Sequence, residues 1–199
     1  MAKVAWYTVI DRALQSVGQA QYRYGTKWEK PGKAKQQSLI KAYPKYYSGS
    51  RATTALQTAD RLSTDCSGLV MHCTDGLVLG SSAYMSKALS KLDIRSINAH
   101  HGAWASYKPG HIGLVIDRHT IVEARGFDYG TVKTDPAKRD FTTLLQLHNV
   151  DYDAYSPKTE RECTIVLQTL CNIAGADIKV DAISGPATKA AIKKYLMKL

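Results

Sequence analysis

Cys66, Leu69, Val70 and Cys73 fall at i, i+3, i+4 and i+7, which predicts a buried helix with Cys66 at its start. A helix N-terminus carries unpaired N–H groups and a positive partial charge. It therefore favours a thiolate, and the expectation for Cys66 is a lowered thiol pKa. Thr64 and Asp65 stand just before the helix and can cap it. Gly68 is expected to leave room for a substrate to approach the sulfur. A cysteine on an apolar helical stripe also serves plain packing, so a thiol alone decides nothing.

A thiol nucleophile needs a base, and histidine is the side chain that titrates near neutrality. Of the six histidines, His111 is preceded by Gly110 and opens a strong strand. The runs GHIGLVID (110–117) and HTIVEARG (119–126) surround a polar turn at 117–119, a hairpin signature. Glu123 interrupts the second run where an apolar residue would suit, and a carboxylate there can orient an imidazole. The plainer alternative for Glu123 is a solvated strand carboxylate. Side chains alternate across a sheet, so His111 and Glu123 share a face only with an odd loop or a bulge. That register pairs Gly113 with Glu123 and His111 with Arg125, whereas a plain two-residue turn throws Glu123 to the other face.

These residues need elements to carry them. Residues 4–17 show apolar side chains at near-helical spacing, residues 48–64 look partly helical, and residues 127–150 alternate loosely and add strands. The stretch DYDAYSPKTE (151–160) has turn formers, a proline and little periodicity, which places a linker at about 152–159. Beyond it, Val166, Leu167, Leu170, Cys171 and Ala174 mark one amphipathic helix. Ala187, Ala191, Ile192, Tyr195 and Leu196 mark another, entered through Gly185 and Pro186. The fold class expected is α+β. A domain of helices packed on an antiparallel sheet spans 1–152, and a small all-α domain spans 160–199.

The hydrophobic content of 44% and charged content of 22% suit a folded globular chain and exclude a disordered one. No apolar run approaches the ~20 residues needed to cross a bilayer. The first twenty-odd residues lack an apolar core followed by a small-residue cleavage site, so no classical export signal is expected. The formal net charge of +10 favours polyanions, but it is spread thinly and no nucleic-acid motif accompanies it. The four cysteines form no C-x-x-C pair, which weakens a zinc reading, and Cys73, Cys163 and Cys171 read as small buried apolar residues.

The pieces YRYG (22–25), DCSGLV (65–70), PGHIGLVI (109–116) and IVEARG (121–126) resemble the signature of NlpC-type cell-wall cysteine peptidases, a compact papain-like group. The resemblance spans roughly residues 1–150. It implies Cys66 as nucleophile, His111 as base and Glu123 as orienting residue. It also implies Tyr22 beside the thiol, Asp65 and Ser67 contacting substrate or shaping the cleft, and Arg125 among the substrate-binding residues. Most members carry His, Asn or Gln where this chain has Glu123, although phage and clostridial relatives show a similar E-A-R-G. The stretch between Gly25 and Asp65, rich in Lys and Tyr, is longer than in minimal members and either walls the cleft or is inert.

The segment LQTLCNIAGADIKVDAISGPATKAAIKKYL resembles the three-helix peptidoglycan-binding domain, with Leu167, Gln168, Leu170, Asp181, Gly185, Pro186 and Thr188 matching its pattern. Ala182 replaces the usual Gly, and Tyr195 and Leu196 stand where Phe-Gln is common. A helical oligomerisation tail is the plain alternative. Together the two resemblances imply a bacteriophage endolysin-like, bacteriolytic peptidoglycan hydrolase. It would cut a stem-peptide bond, between D-Glu and the diamino acid, with no metal or cofactor. Its partners would be bacterial peptidoglycan and anionic wall polymers, with no nucleic acid and no membrane insertion. It would be made in the host cytoplasm without a signal peptide and reach the wall after release. The alternatives are an N-acetylmuramoyl-L-alanine amidase with the same Cys–His site and a non-catalytic wall-binding protein.

Overall fold

The N-terminal apolar spacing forms a helix that buries Trp6, Val9, Ile10 and Ala13 along one face. In the computed structural model, which describes residues 3–99 and 102–197, the chain runs as follows. Strand β1 (Val4–Ala5) leads into α1 (Trp6–Ser16), then β2 (Gln21–Tyr22), α2 (Gly32–Ala42), α3 (Ser50–Gln57) and β3 (Ser63–Thr64). Next come α4 (Cys66–Thr74), α5 (Ser81–Lys87), β4 (Ser90–Asp93), β5 (Ala105–Lys108), β6 (His111–Asp117), β7 (Thr120–Gly126) and β8 (Gly130–Thr134). Strands β9 (Thr143–Gln146) and β10 (Val150–Asp151) precede α6 (Glu160–Ile173) and α7 (Pro186–Ala191). The architecture is α+β. An antiparallel six-stranded sheet in the order β4-β9-β5-β6-β7-β8 carries helices, and two short parallel pairs, β1–β10 and β2–β3, flank it.

The β6–β7 hairpin decides which side chains share a face. Leu114 pairs with Val122 and Val115 with Ile121, but Asp117 pairs with Thr120, so Ile116 is the extra residue of a bulge above a two-residue turn. This is the even register, and it sets Gly113 beside Glu123: a Cβ added at Gly113 would lie 3.1 Å from that of Glu123. On the other face of the sheet, Ile112, Leu114, Ile116 and Val122 pack with α1 and with Leu69, Val70 and Cys73 of α4. A second cluster of Trp104, Val115, Ile121, Phe141 and Leu144 fills the opposite side.

Helix α6 and the loop after it share that first core, while Ala191 of α7 packs in a separate small cluster with Cys171 and Ala176. Ile165 is fully buried, and it joins Val166, Val180 and Ala182 in the cluster built by α1 and the sheet. Thr8 Oγ1 donates to Glu162, and Arg161 Nε donates to Asp11 at 2.7 Å. The stretch expected as a linker is strapped down as well. Trp6 Nε1 donates to Ala154 O at 3.0 Å, and Tyr152 Oη donates to Ala103 O at 3.1 Å. Among the described residues this part holds two helices rather than three, α7 running on through a π-helical turn at Ile192–Leu196. The inward stripe of α6 also differs from expectation. It follows Ile165, Val166, Gln168 and Thr169, so Leu167 is partly exposed, and Cys163, expected to be buried, lies on the outer face.

The residues matching the wall-binding pattern bond to one another. Gln168 Nε2 donates to Asp181 Oδ1 at 2.7 Å and to Thr188 Oγ1 at 3.0 Å, while its Oε1 accepts from the amides of Asp181 and Ala182. This buried knot fixes the 181–184 loop. Ala182 sits there at φ +62°, the left-handed region that suits the glycine of the pattern.

Because Ile165 of α6 is fully buried in the core built by α1 and the sheet, Ile165→Ala is expected to cost about 2–4 kcal/mol. Chemical denaturation should show one transition with a lowered midpoint and an unchanged slope. Loss of a small separate transition alone would contradict a shared core.

Candidate active site

The loop after β2 is tied to the start of α4 by one carboxylate. Asp65 is the N-cap, its Oδ1 accepting from Gly68 N at 2.7 Å. The same group accepts from Gly25 N at 3.2 Å, from Ser67 Oγ at 2.9 Å, and from Lys27 Nζ at 2.7 Å on both oxygens. Lys27 Nζ also donates to Ser67 Oγ at 2.6 Å. These five hydrogen bonds from four groups fill the acceptor capacity of a carboxylate. Asp65 and Ser67 are buried, bonded to each other and to Lys27. Gly68 has a packing role, contrary to the expected open approach. A Cβ there would lie 2.6 Å from Thr64 Oγ1 and 2.7 Å from Thr26 O, so only glycine lets the helix touch this loop.

Cys66 opens α4 as expected, but its thiol is not acidic. The pKa is pushed up to about 11, by burial first and then by the charge of Asp65. The amides of Ile112 and Ser67, directed at the sulfur, and the Lys27 ammonium oppose this and do not win. The expected fall in pKa is thereby reversed, because desolvation outweighs the helix terminus. Tyr22 is close by. Its hydroxyl is held above its ordinary range by burial and then by the neighbouring Cys66.

His111 is the first residue of β6, next to the Ile112 amide that meets the sulfur. Its Nε2 lies 2.6 Å from Glu123 Oε2, which leaves Nδ1 for proton traffic. Phe141 stacks on the imidazole with ring centroids 5.7 Å apart. Among the described residues no hydrogen bond joins the imidazole to the Cys66 sulfur. Glu123 is 0% exposed, which rules out the solvated strand carboxylate. It accepts from Arg139 Nε at 2.7 Å, Arg139 Nη2 at 3.0 Å and Thr134 Oγ1 at 2.7 Å. Burial raises its pKa, but the hydrogen bonds from His111, Arg139 and Thr134 override this and hold it at about 2. The bidentate Arg139 compensates the buried charge, so Glu123 stays ionised without requiring a charged imidazole.

Lys27, Arg139 and Phe141 were not legible as site residues. Each comes from a stretch without a motif, and only the folded chain brings them in. Arg125 lies outside the hydrogen-bonded cluster, exposed at the end of β7 with its guanidinium 4.2 Å from the Tyr129 ring centre. The long stretch between Gly25 and Asp65 packs beside Tyr24 and Gly25. Tyr46 stacks on Tyr24 at 3.7 Å, and both act electrostatically on Tyr22. Gly25, at φ +86°, accepts this stretch closely, since a Cβ there would meet Leu39 at 2.8 Å. Among the described residues no three metal-ligating side chains converge, and no helix is long and apolar enough to cross a membrane.

Comparison of the chain with protein-family models, curated proteins and solved structures finds no match.

Two outcomes test this electrostatic picture. Asp65→Asn removes a charge that raises the thiol pKa and releases Lys27 to oppose it further, while an amide still caps the helix. Iodoacetamide labelling of buried Cys66, read by peptide mapping because exposed Cys163 reacts as well, should speed up about tenfold per unit of pKa lost. An unchanged pH midpoint for labelling would refute it. The folded-state value of Glu123 lies below the ordinary 4.5, so its interactions stabilise fully above about pH 5 and are lost as pH falls from 4.5 towards 2. Urea midpoints across that window should fall more steeply in the parent than in Glu123→Gln.

Proposed function

We propose that this protein is a papain-like cysteine peptidase that cuts the stem peptide of bacterial peptidoglycan, between D-Glu and the diamino acid. The reading rests on one observation above all. A buried, ionised Glu123 holds Nε2 of His111 at 2.6 Å, at the strand end whose next amide meets the sulfur of a helix-opening cysteine. This arrangement supplies nucleophile, base and orienting group in the order that acyl transfer needs.

In this reading the thiol is neutral at rest, because its pKa lies near 11. Substrate entry excludes water and draws the imidazole to the sulfur, and the proton passes from Sγ to Nδ1 as the sulfur attacks the peptide carbonyl carbon. The first-turn N–H of Cys66, which has no carbonyl four residues earlier in a helix, faces the developing oxyanion together with the Tyr22 hydroxyl. His111 then gives its proton to the leaving amine as the C–N bond breaks. Water, deprotonated by the same nitrogen, attacks the thioester and restores the thiol. Glu123 holds the tautomer and stabilises the imidazolium, and Arg139 positions Glu123. The C-terminal part tethers the enzyme to the wall and raises local substrate concentration. The protein thus acts as an endolysin.

A second reading, a wall-binding protein without activity, draws on the same thiol. Its raised pKa and the absence of a sulfur–imidazole bond among the described residues describe a resting site, and an inert one would look alike. Cys66→Ala separates the two. It should lower wall clearing at least about a thousandfold while leaving co-sedimentation with walls intact. Mass spectrometry of the parent's digest should show new amines on the diamino acid, and activity should persist in EDTA. New amines on L-Ala would instead identify an amidase, and no new amines at all would leave only the binding protein.

A further inference from the structure

The segment Gln21–Gly25 has two sides. Tyr22 turns towards the thiol, and Arg23 turns into an open cleft of about 790 Å³ between the 18–23 stretch, the 60–62 turn and the β7–β8 hairpin. Arg23 is 3% exposed. Its Nη atoms donate only to neutral oxygens, those of Tyr22 O, Gln21 Oε1 and Thr58 Oγ1, and its Nε is buried without a partner. Burial lowers its pKa, the ionisable neighbours that bear on it are Tyr47 and the cation Arg61, and among the described residues no carboxylate pairs with it. A buried cation without a counter-charge is unfavourable, and it leaves a positive potential in the cavity it faces. Exposed Arg61 and Lys30 line the same cleft, also without carboxylate partners among the described residues. Of the two acids there, Asp128 is already held by Arg51 at 2.9 Å, which leaves Asp60.

We infer that this cleft binds the phosphate groups of a polyol-phosphate polymer, the non-bridging oxygens accepting from Arg61 and Lys30 while buried Arg23 supplies the counter-charge beneath. The aromatic rings argue against a nucleic acid. Phe127 carries the Arg23 guanidinium 4.1 Å from its centre and Arg51 at 5.4 Å, and Tyr129 carries Arg125, so both rings are engaged with cations rather than free to stack bases. The cleft is open and larger than one phosphate ion needs, which suits a segment of a chain. That such a polymer comes from the bacterial wall rests on the function proposed above, but the binding chemistry does not.

The test uses the full chain and Lys30→Gln/Arg61→Gln, two exposed positions outside the catalytic cluster. Binding to poly(glycerol phosphate) oligomers should weaken about tenfold in the double variant, with a flatter salt dependence. Poly-glutamate and single-stranded oligothymidine of similar charge should bind the parent more weakly than the phosphate polymer. Thermal midpoint and cleavage of a soluble stem peptide should stay at parental values, which separates loss of the cleft from misfolding. Equal binding by parent and double variant overturns the assignment, as does equal or tighter binding of poly-glutamate or oligothymidine. Should the parent cleave no stem peptide yet lose phosphate-polymer binding through the two substitutions, the peptidase reading falls and the cleft stands.

Discussion

A carboxylate sealed from water stays ionised only when donors surround it, and Glu123 is such a group. It has no solvent exposure, and His111, Arg139 and Thr134 bond both its oxygens. Much of the sheet is arranged around that requirement. The bulge at Ile116 sets the register that turns Glu123 to the face of His111. Gly113 lacks a side chain where one would press on Glu123 and Ile121. The segment after β8 brings Arg139 back over Phe141 to complete the cage. Moving any of these by one residue leaves a buried charge unpaired, an error of several kcal/mol in a protein whose whole stability is of that order.

Asp65 is the second such centre, and it pulls against the first. It binds the loop after β2 to the start of α4, yet its charge opposes ionisation of the adjacent thiol. Lys27 moderates that opposition by bonding both Asp65 oxygens. A neutral thiol results, with burial and the Asp65 charge together outweighing the helix terminus and Lys27.

The C-terminal part illustrates a different use of polar burial. Gln168, Asp181 and Thr188, which carry the resemblance to a wall-binding domain, bond to each other and to loop amides inside the fold. They define the shape of the 181–184 loop. Ile165 and Val166 meanwhile anchor α6 on α1.

Short-range patterns were enough to place Cys66 at a helix start, His111 at the head of a strand and Glu123 on the facing strand, because each depends on local periodicity and turn chemistry. The same alternation rule requires an odd loop or a bulge to align residues 111 and 123, and the hairpin takes the bulge. The ionisation of the thiol was not legible, because it depends on how many neighbours exclude water from Cys66. Nor were the partners Lys27 and Arg139, whose positions follow from long-range folding of stretches without periodic signal. Cys163 and Leu167 were misplaced because two apolar stripes on α6 fit the spacing equally well, and only docking against α1 selected one. Local sequence sets which residues can face the same way, whereas the tertiary structure decides what surrounds them, and burial energies follow the surroundings.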